Sequence, residues 1–300
     1  MAWLQLSLIV DRDQAELVEA ALESGGALAV TIDAADDGPA ADPVLEPAPN
    51  STPLWRQVRI TALYEDDSQG RMLAEQGAAA LAGQCLAPPL ITALDDRPWE
   101  RVWLEQATPM RFGRRLWVCP NGQHPPAADE EQVLIELDPG LAFGTGHHPT
   151  TALCLGWLDR LDLTDRVLLD YGCGSGILAI AALKLGARQA VAVDYDQQAL
   201  DATVDNALAN GVIDRLIVAP PERLPSLHAD VVVANILAGP LIELAPRLAA
   251  LSRPGARIGL SGVLGYQAAS VAAAYDEHFV LEPPETEGDW VLIEGRRIGA

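Results

Sequence analysis

Residues 167–195, VLLDYGCGSGILAIAALKLGARQAVAVDY, constrain the fold more than any other stretch of the chain. Residues 167–169 are an apolar run of strand length, and Asp170 closes it. Gly172, Gly174 and Gly176 follow at alternate positions, so the turn can take positive φ and lets a ligand approach the main chain without meeting a Cβ. Residues 177–184 are strong helix formers ending near Gly186, a C-cap residue, and residues 190–193 make a second apolar strand that ends at Asp194. This order predicts exposed backbone N–H groups and a helix N-terminus at the carboxyl end of one parallel strand, with a carboxylate at the end of the next. A nucleotide-like ligand fits such a place.

The glycine spacing narrows the ligand. A dinucleotide fold usually shows GxGxxG to seat a pyrophosphate, whereas here an acid and one residue precede GxGxG. S-adenosylmethionine carries no phosphate; it needs room beside the loop for a methionine moiety and an acid to accept both ribose hydroxyls. Asp194, 18 residues past Gly176, is placed to be that acid. From these residues alone an NAD site, or an ordinary glycine-rich turn, stays open.

A chain of 300 residues with 49% hydrophobic content can bury a sizeable core and suggests two domains. Its formal net charge is -22, and residues 1–100 hold 17 acidic and 5 basic side chains against 25 and 15 in the rest. The first third is the more acidic per residue, which fits either solubility or a basic partner, and so acidic a surface repels nucleic acid and anionic membrane. The four cysteines, Cys85, Cys119, Cys154 and Cys173, show no zinc-ligand spacing and read as reduced, mostly buried thiols. No apolar run reaches the roughly 20 residues of a spanning helix, and no secretory leader opens the chain, so a soluble cytoplasmic protein is expected.

Taken in order, residues 2–10 read as a strand, 11–25 as a helix, 27–32 and 54–64 as strands, 68–83 as an Ala-rich helix and 90–94 as a strand. A Pro-rich loop spans 33–53. The order βαββαβ predicts an N-terminal α+β, ferredoxin-like domain over 1–95. Residues 96–125 read as a linker helix, in which Trp99 and Trp103 share one face as a connector packing on a neighbour would have them, and a connecting segment with a strand at 116–119; a further strand is read at 133–137. The segment DPGLAFGTGHHPTT, 138–151, is a pliable Gly-rich loop feeding a helix that opens at Pro149. Its two adjacent histidines, His147 and His148, are too few for zinc, and at least one is expected to hydrogen-bond within the loop. Beyond the central stretch come a helix over 196–210, strands at 215–218 and 230–234, a helix over 239–251, a strand at 257–260, and paired strands at 278–281 and 290–294. Asn235 sits where a parallel sheet puts its ligands. The expected second domain, 126–300, is therefore α/β: a doubly wound, mostly parallel, Rossmann-like sheet with a terminal antiparallel hairpin, the class I methyltransferase arrangement.

With WLQLSL, PWERVW, MRFGRRLWVCP, DPGLAFGTG, HPTT, GCGSGILAIAALKLGA, VVVANILAGPL, the late LSG and the Trp290 strand in view, the whole chain resembles the bacterial ribosomal protein L11 methyltransferases, the PrmA family. It departs at His147, where that family usually has Thr. The resemblance implies an N-terminal domain that grips the basic ribosomal protein and a domain that binds S-adenosylmethionine. It further implies a protein N-methyltransferase that modifies lysine side chains and the N-terminal amine. With the charge and cysteine readings above, a cytoplasmic monomer with no metal, membrane or direct nucleic-acid contact is expected. It places Thr151, Gly172, Asp194 and Asn235 on cofactor-binding positions; Gly174 joins them from loop geometry. No dedicated catalytic base stands out. The alternatives are a methyltransferase of the same fold acting on another amine and a catalytically silent cofactor-binding protein that docks on ribosomes.

Overall fold

A computed structural model describes residues 3–35, 54–94, 108–120, 123–125, 131–137, 148–224 and 226–299. The chain divides into two compact units, Met1–Trp99 and Glu100–Ala300. The helix expected at 97–106, with Trp99 and Trp103, and the glycine loop at 138–147, with His147, lie outside the described residues, as does most of the Pro-rich loop.

The first unit runs β1 (Trp3–Asp11), α1 (Arg12–Ser24), β2 (Ala29–Ala34), β3 (Gln57–Glu65), α2 (Ser68–Leu81) and β4 (Leu90–Leu94). Its antiparallel sheet has the order β2-β3-β1-β4. Strand alternation sends Leu4, Leu6, Leu8 and Val10 of β1 into the core, where Ala15, Val18 and Leu22 of α1 and Ala74 and Leu81 of α2 meet them. The α2 helix is capped by Asp67, whose carboxylate accepts from the Gly70 N–H at 2.7 Å.

The second unit opens with β5 (Met110–Phe112), β6 (Leu116–Pro120) and β7 (Val133–Leu137), a three-stranded sheet in that order. Residues 110–120 were expected only as connecting segment and one strand. Phe112, Leu116, Val118, Ile135 and Leu137 bury themselves with α3 (Pro149–Arg160) in a core of the second unit.

The main sheet follows: β8 (Val167–Tyr171), α4 (Ile177–Lys184), β9 (Gln189–Val193), α5 (Gln197–Ala209), β10 (Leu216–Ala219), β11 (Ala229–Asn235), α6 (Ala238–Leu251), β12 (Ser252–Leu264), α7 (Ala268–Tyr275), β13 (Phe279–Leu281), β14 (Glu285–Glu287) and β15 (Trp290–Arg297). Its order is β10-β9-β8-β11-β12-β15-β13, with β14 paired to β15. Strands β8 to β12 are parallel, and β15 runs antiparallel to β12, β13 and β14, as the expected terminal hairpin requires. A sheet covered on both faces needs apolar residues at every position. Leu168, Ala190, Val231 and Val233 face one core, and Leu169, Val191, Val232 and Ala234 face the other.

Strand β12 is much longer than its apolar heart at 257–260 and carries a bulge between Leu260 and Val263. Gly259, within it, makes room for the Trp157 ring, since a Cβ there would lie 2.7 Å from the indole. The indole N–H in turn donates to Glu294 at 2.8 Å. All four cysteines are free, and three of them are buried. No helix among the described residues is long and apolar enough to cross a membrane.

Candidate functional site

Sheet register assembles the site. Tyr171 pairs with Val193, and Asp170 with Val233, so Gly172, Asp194 and Asn235 come level at the carboxyl ends of three neighbouring strands. Asn235 pairs in turn with Ser261, beside the β12 bulge. Adjacent strands lie about 4.8 Å apart, so these residues form one short row. Thr151, from the first turn of α3, joins it: the Asn235 side-chain amide donates to the Thr151 hydroxyl at 3.3 Å. Gly174 joins through its N–H, which donates to Asp194 Oδ2 at 3.0 Å. All five residues singled out in the sequence are thus brought together. Thr151 is fully buried, whereas Asp194 and Asn235 are half-buried.

The turn adopts the expected conformation. Gly172, Gly174 and Gly176 have φ of 83°, 53° and 78°, a region L side chains avoid. A Cβ on Gly172 would sit 2.2 Å from the Ile236 side chain. The expectation of free N–H donors is corrected for most of the turn, where the amides bond within the protein. Those of Gly172 and Cys173 donate to the Val193 carbonyl at 2.7 and 3.0 Å, that of Gly174 to Asp194, and that of Gly176 to the Cys173 carbonyl at 2.8 Å. At the start of α4 the Ala179 N–H is taken by Asp170 Oδ2 at 3.0 Å. A phosphate needs open donors. Here it would instead meet the Asp194 carboxylate, which disfavours the dinucleotide reading and favours a ligand that carries positive charge.

Asp170 is fully buried, and its second oxygen has no partner among the described residues. Burial pushes its carboxyl up to about 7 against the Ala179 bond, with the Asp194 charge adding to the rise. The folded protein therefore keeps a proton that the unfolded chain, at 3.8, has released. Stability from this group is full below that lower value and is lost as pH rises toward 7. Asp170→Asn is expected to remove this slope, worth on the order of 4 kcal/mol, when urea midpoints are compared between about pH 4 and about pH 8. An unchanged slope would assign the pH dependence to other groups.

His148 behaves as anticipated for one of the two histidines. It is the N-cap of α3, its Nδ1 2.7 Å from the Thr150 hydroxyl and accepting from the Thr150 N–H at 3.4 Å, and its ring meets Trp290 edge-on at 4.8 Å. Burial holds its pKa below the ordinary histidine value, keeping the cap neutral.

Three supports carried no evident signature in the sequence. The Thr203 hydroxyl donates to the Gly174 carbonyl at 2.9 Å, and the Asn206 amide to the Ser175 carbonyl at 2.9 Å. Gly262, φ 82°, lies against the Ile236 backbone, whose N–H donates to the Ser261 carbonyl at 3.2 Å. The available clue was the polar stripe Thr203, Asn206, Asn210 at helical spacing, all buried, where an amphipathic helix ordinarily places apolar residues. Asn210 extends the brace by exchanging hydrogen bonds with the Glu136 backbone at 2.9 and 2.6 Å.

A sheet of this order, with a donor-filled glycine turn flanked by acids at its carboxyl edge, is a class I methyltransferase domain. The family model described as ribosomal protein L11 methyltransferase (PrmA) matches residues 2–298. A Hahella chejuensis protein named ribosomal protein L11 methyltransferase is 50% identical over 99% of both chains. One of the same name from Serratia proteamaculans is 48% identical over 99% of this chain and all of its own. The crystal structure of ribosomal protein L11 methylase from Lactobacillus delbrueckii subsp. bulgaricus is 31% identical, with a TM-score of 0.59, and covers 64% of this chain and 100% of that one. The chain belongs to the ribosomal protein L11 methyltransferase family.

Proposed function

We propose that this protein transfers methyl groups from S-adenosylmethionine to lysine side chains and the N-terminal amine of ribosomal protein L11, as a cytoplasmic monomer. The observation that carries the proposal is the row Asp194, Gly172, Asn235 at the carboxyl edge. Family membership runs through both units of the chain.

The residues present suit this cofactor, whose sulfonium and ammonium are cationic. Asp194 Oδ1 and Oδ2 each hold one backbone N–H, at 3.1 and 3.0 Å, and a carboxylate has about four acceptor sites, so capacity remains for ribose hydroxyls. Gly172 offers main chain without a side chain. Tyr195, next to Asp194 and 90% exposed, offers a ring face for a planar base. When bound, S-adenosylmethionine supplies a methyl group already activated by positive sulfur. What the protein adds is alignment and exclusion of water. The incoming amine, with an ordinary pKa near ~10.4, must arrive neutral. The Asn235 carbonyl oxygen, free of partners among the described residues, orients it by accepting one of its N–H bonds, and the proton leaves to water.

Labelled S-adenosylmethionine incubated with the protein and a ribosomal extract is expected to mark one band, ribosomal protein L11. A different band selects another amine substrate, and no band selects a silent docking protein. Residues 1–95 serve as the grip on the basic substrate. Their removal is expected to leave cofactor affinity by calorimetry within about twofold and to lower methylation of the intact substrate at least roughly 100-fold, since effective concentration is lost. Retained methylation would assign recognition to the second unit.

A further inference from the structure

The opposite edge of the main sheet is rich in arginine. Five of its strands carry arginine in or beside that end. Arg166, Arg188 and Arg215 directly precede β8, β9 and β10, Arg253 and Arg257 lie in the first half of β12, and Arg296 is the last residue but one of β15. This is a concentration of arginine in a chain whose net charge is -22. A cleft of about 350 Å³ opens among Arg166, Arg253, Arg257 and Arg296, with Asp162 and Asp230 as the acids among the described residues that line it.

Two observations separate this cleft from a solvated salt-bridge surface. First, Arg257 and Arg296 are directly opposed across the antiparallel β12–β15 pair, where like charges repel. Second, the ion pairs hold only two of its four guanidiniums, although Arg166 also lies within electrostatic reach of Asp162. Arg253 pairs with Asp230 at 2.9 Å, and Arg257 with Glu294, which also accepts from Trp157. Arg166 and Arg296, both exposed, have neither a side-chain hydrogen bond nor an ion pair among the described residues, and the Nε of Arg257 is buried without a partner. Planar guanidinium forks match phosphate oxygens.

The shape of the row selects among phosphates. From Arg188 on β9 to Arg296 on β15 it crosses five strands, about 19 Å at the usual strand spacing, longer than one phosphate or pyrophosphate needs. Among the described residues no aromatic side chain lines the cleft, so bases have nothing there to stack on, and contact falls on the sugar–phosphate backbone. We infer that the arginine-lined amino-terminal edge of the main sheet is a docking surface for the phosphate backbone of RNA. The overall acidity that led to an expectation of no nucleic-acid contact is an average, and this edge departs from it. Because the cofactor row lies at the other ends of the same strands, both ligands can be held together, and the inference does not depend on which amine is methylated.

The test is fluorescence anisotropy of a labelled single-stranded RNA oligonucleotide with the full-length protein over a series of KCl concentrations. Four guanidinium–phosphate contacts predict saturable binding with a log–log salt slope of about −3. The double variant Arg166→Gln/Arg296→Gln is expected to weaken binding at least roughly tenfold and to flatten the slope by about 1.4. Its affinity for S-adenosylmethionine should stay unchanged, showing that it is folded. Arg12→Gln/Arg71→Gln, in the first unit, should leave RNA binding as it is. Any of three results would overturn the inference: no RNA binding at low salt, equal binding by the Arg166/Arg296 variant, or binding of inorganic pyrophosphate at the cleft without RNA.

Discussion

Asp194→Ala is expected to cut affinity for S-adenosylmethionine at least roughly 100-fold by isothermal titration calorimetry, two charge-assisted hydrogen bonds being worth about 1.5–3 kcal/mol each. The carboxylate has two tasks. It anchors the glycine turn through Gly174 and starts the α5 loop through Asp196, and it keeps the acceptor capacity that a ribose diol needs. Asp194→Asn keeps an acceptor oxygen and loses the charge, so its affinity should fall between wild type and alanine. Unchanged affinity in the alanine variant would place the cofactor somewhere other than the β8–β9 edge.

The second large effect is structural. Gly262→Ala is expected to lower the melting temperature by about 10 °C in calorimetry, corresponding to on the order of 3 kcal/mol. The new Cβ would lie 2.4 Å from the Ile236 carbonyl oxygen and 2.8 Å from its carbon, at φ 82°. Backbone cannot swing aside as a side chain can, so the segment that follows Asn235 must shift. Cofactor affinity should therefore fall together with stability. Gly239→Ala is the contrasting change: this glycine lies in α6 with nothing within 4 Å of a Cβ, and alanine there is expected to stabilise by up to about 1 kcal/mol. Equal melting temperatures for the two variants would mean that the β12 bulge tolerates a side chain.

The parallel sheet was legible because strands buried on both faces read as continuous apolar runs, and β8, β9 and β11 appear within a residue or two of their sequence boundaries. The acid at the end of β9 and the glycine turn after β8 were legible for the same local reason. What escaped depends on distant partners. Strand β12 includes Arg253, Pro254 and Gly255, which break any apolar pattern, and its extension past Leu260 rests on pairing with β15 across a bulge. The small β5-β6-β7 sheet needs a parallel pairing between segments that no sequence period links. The turn's amides were expected to be free, and their actual acceptors, the Val193 carbonyl and Asp194, become visible only once β8 and β9 are side by side. That pairing is also what turns an ambiguous glycine loop into a site hostile to phosphate.

The central claim is that the acid-flanked carboxyl edge of the sheet receives S-adenosylmethionine. Amide NMR of the labelled full-length protein during titration with that compound tests it most directly. Resonances of Gly172, Gly174, Asp194 and Asn235 are expected to shift in saturable, one-to-one fashion, while those of Arg166, Arg188 and Arg296 at the far edge stay in place. Shifts confined to the far edge, or spread over the chain without saturation, would contradict the account.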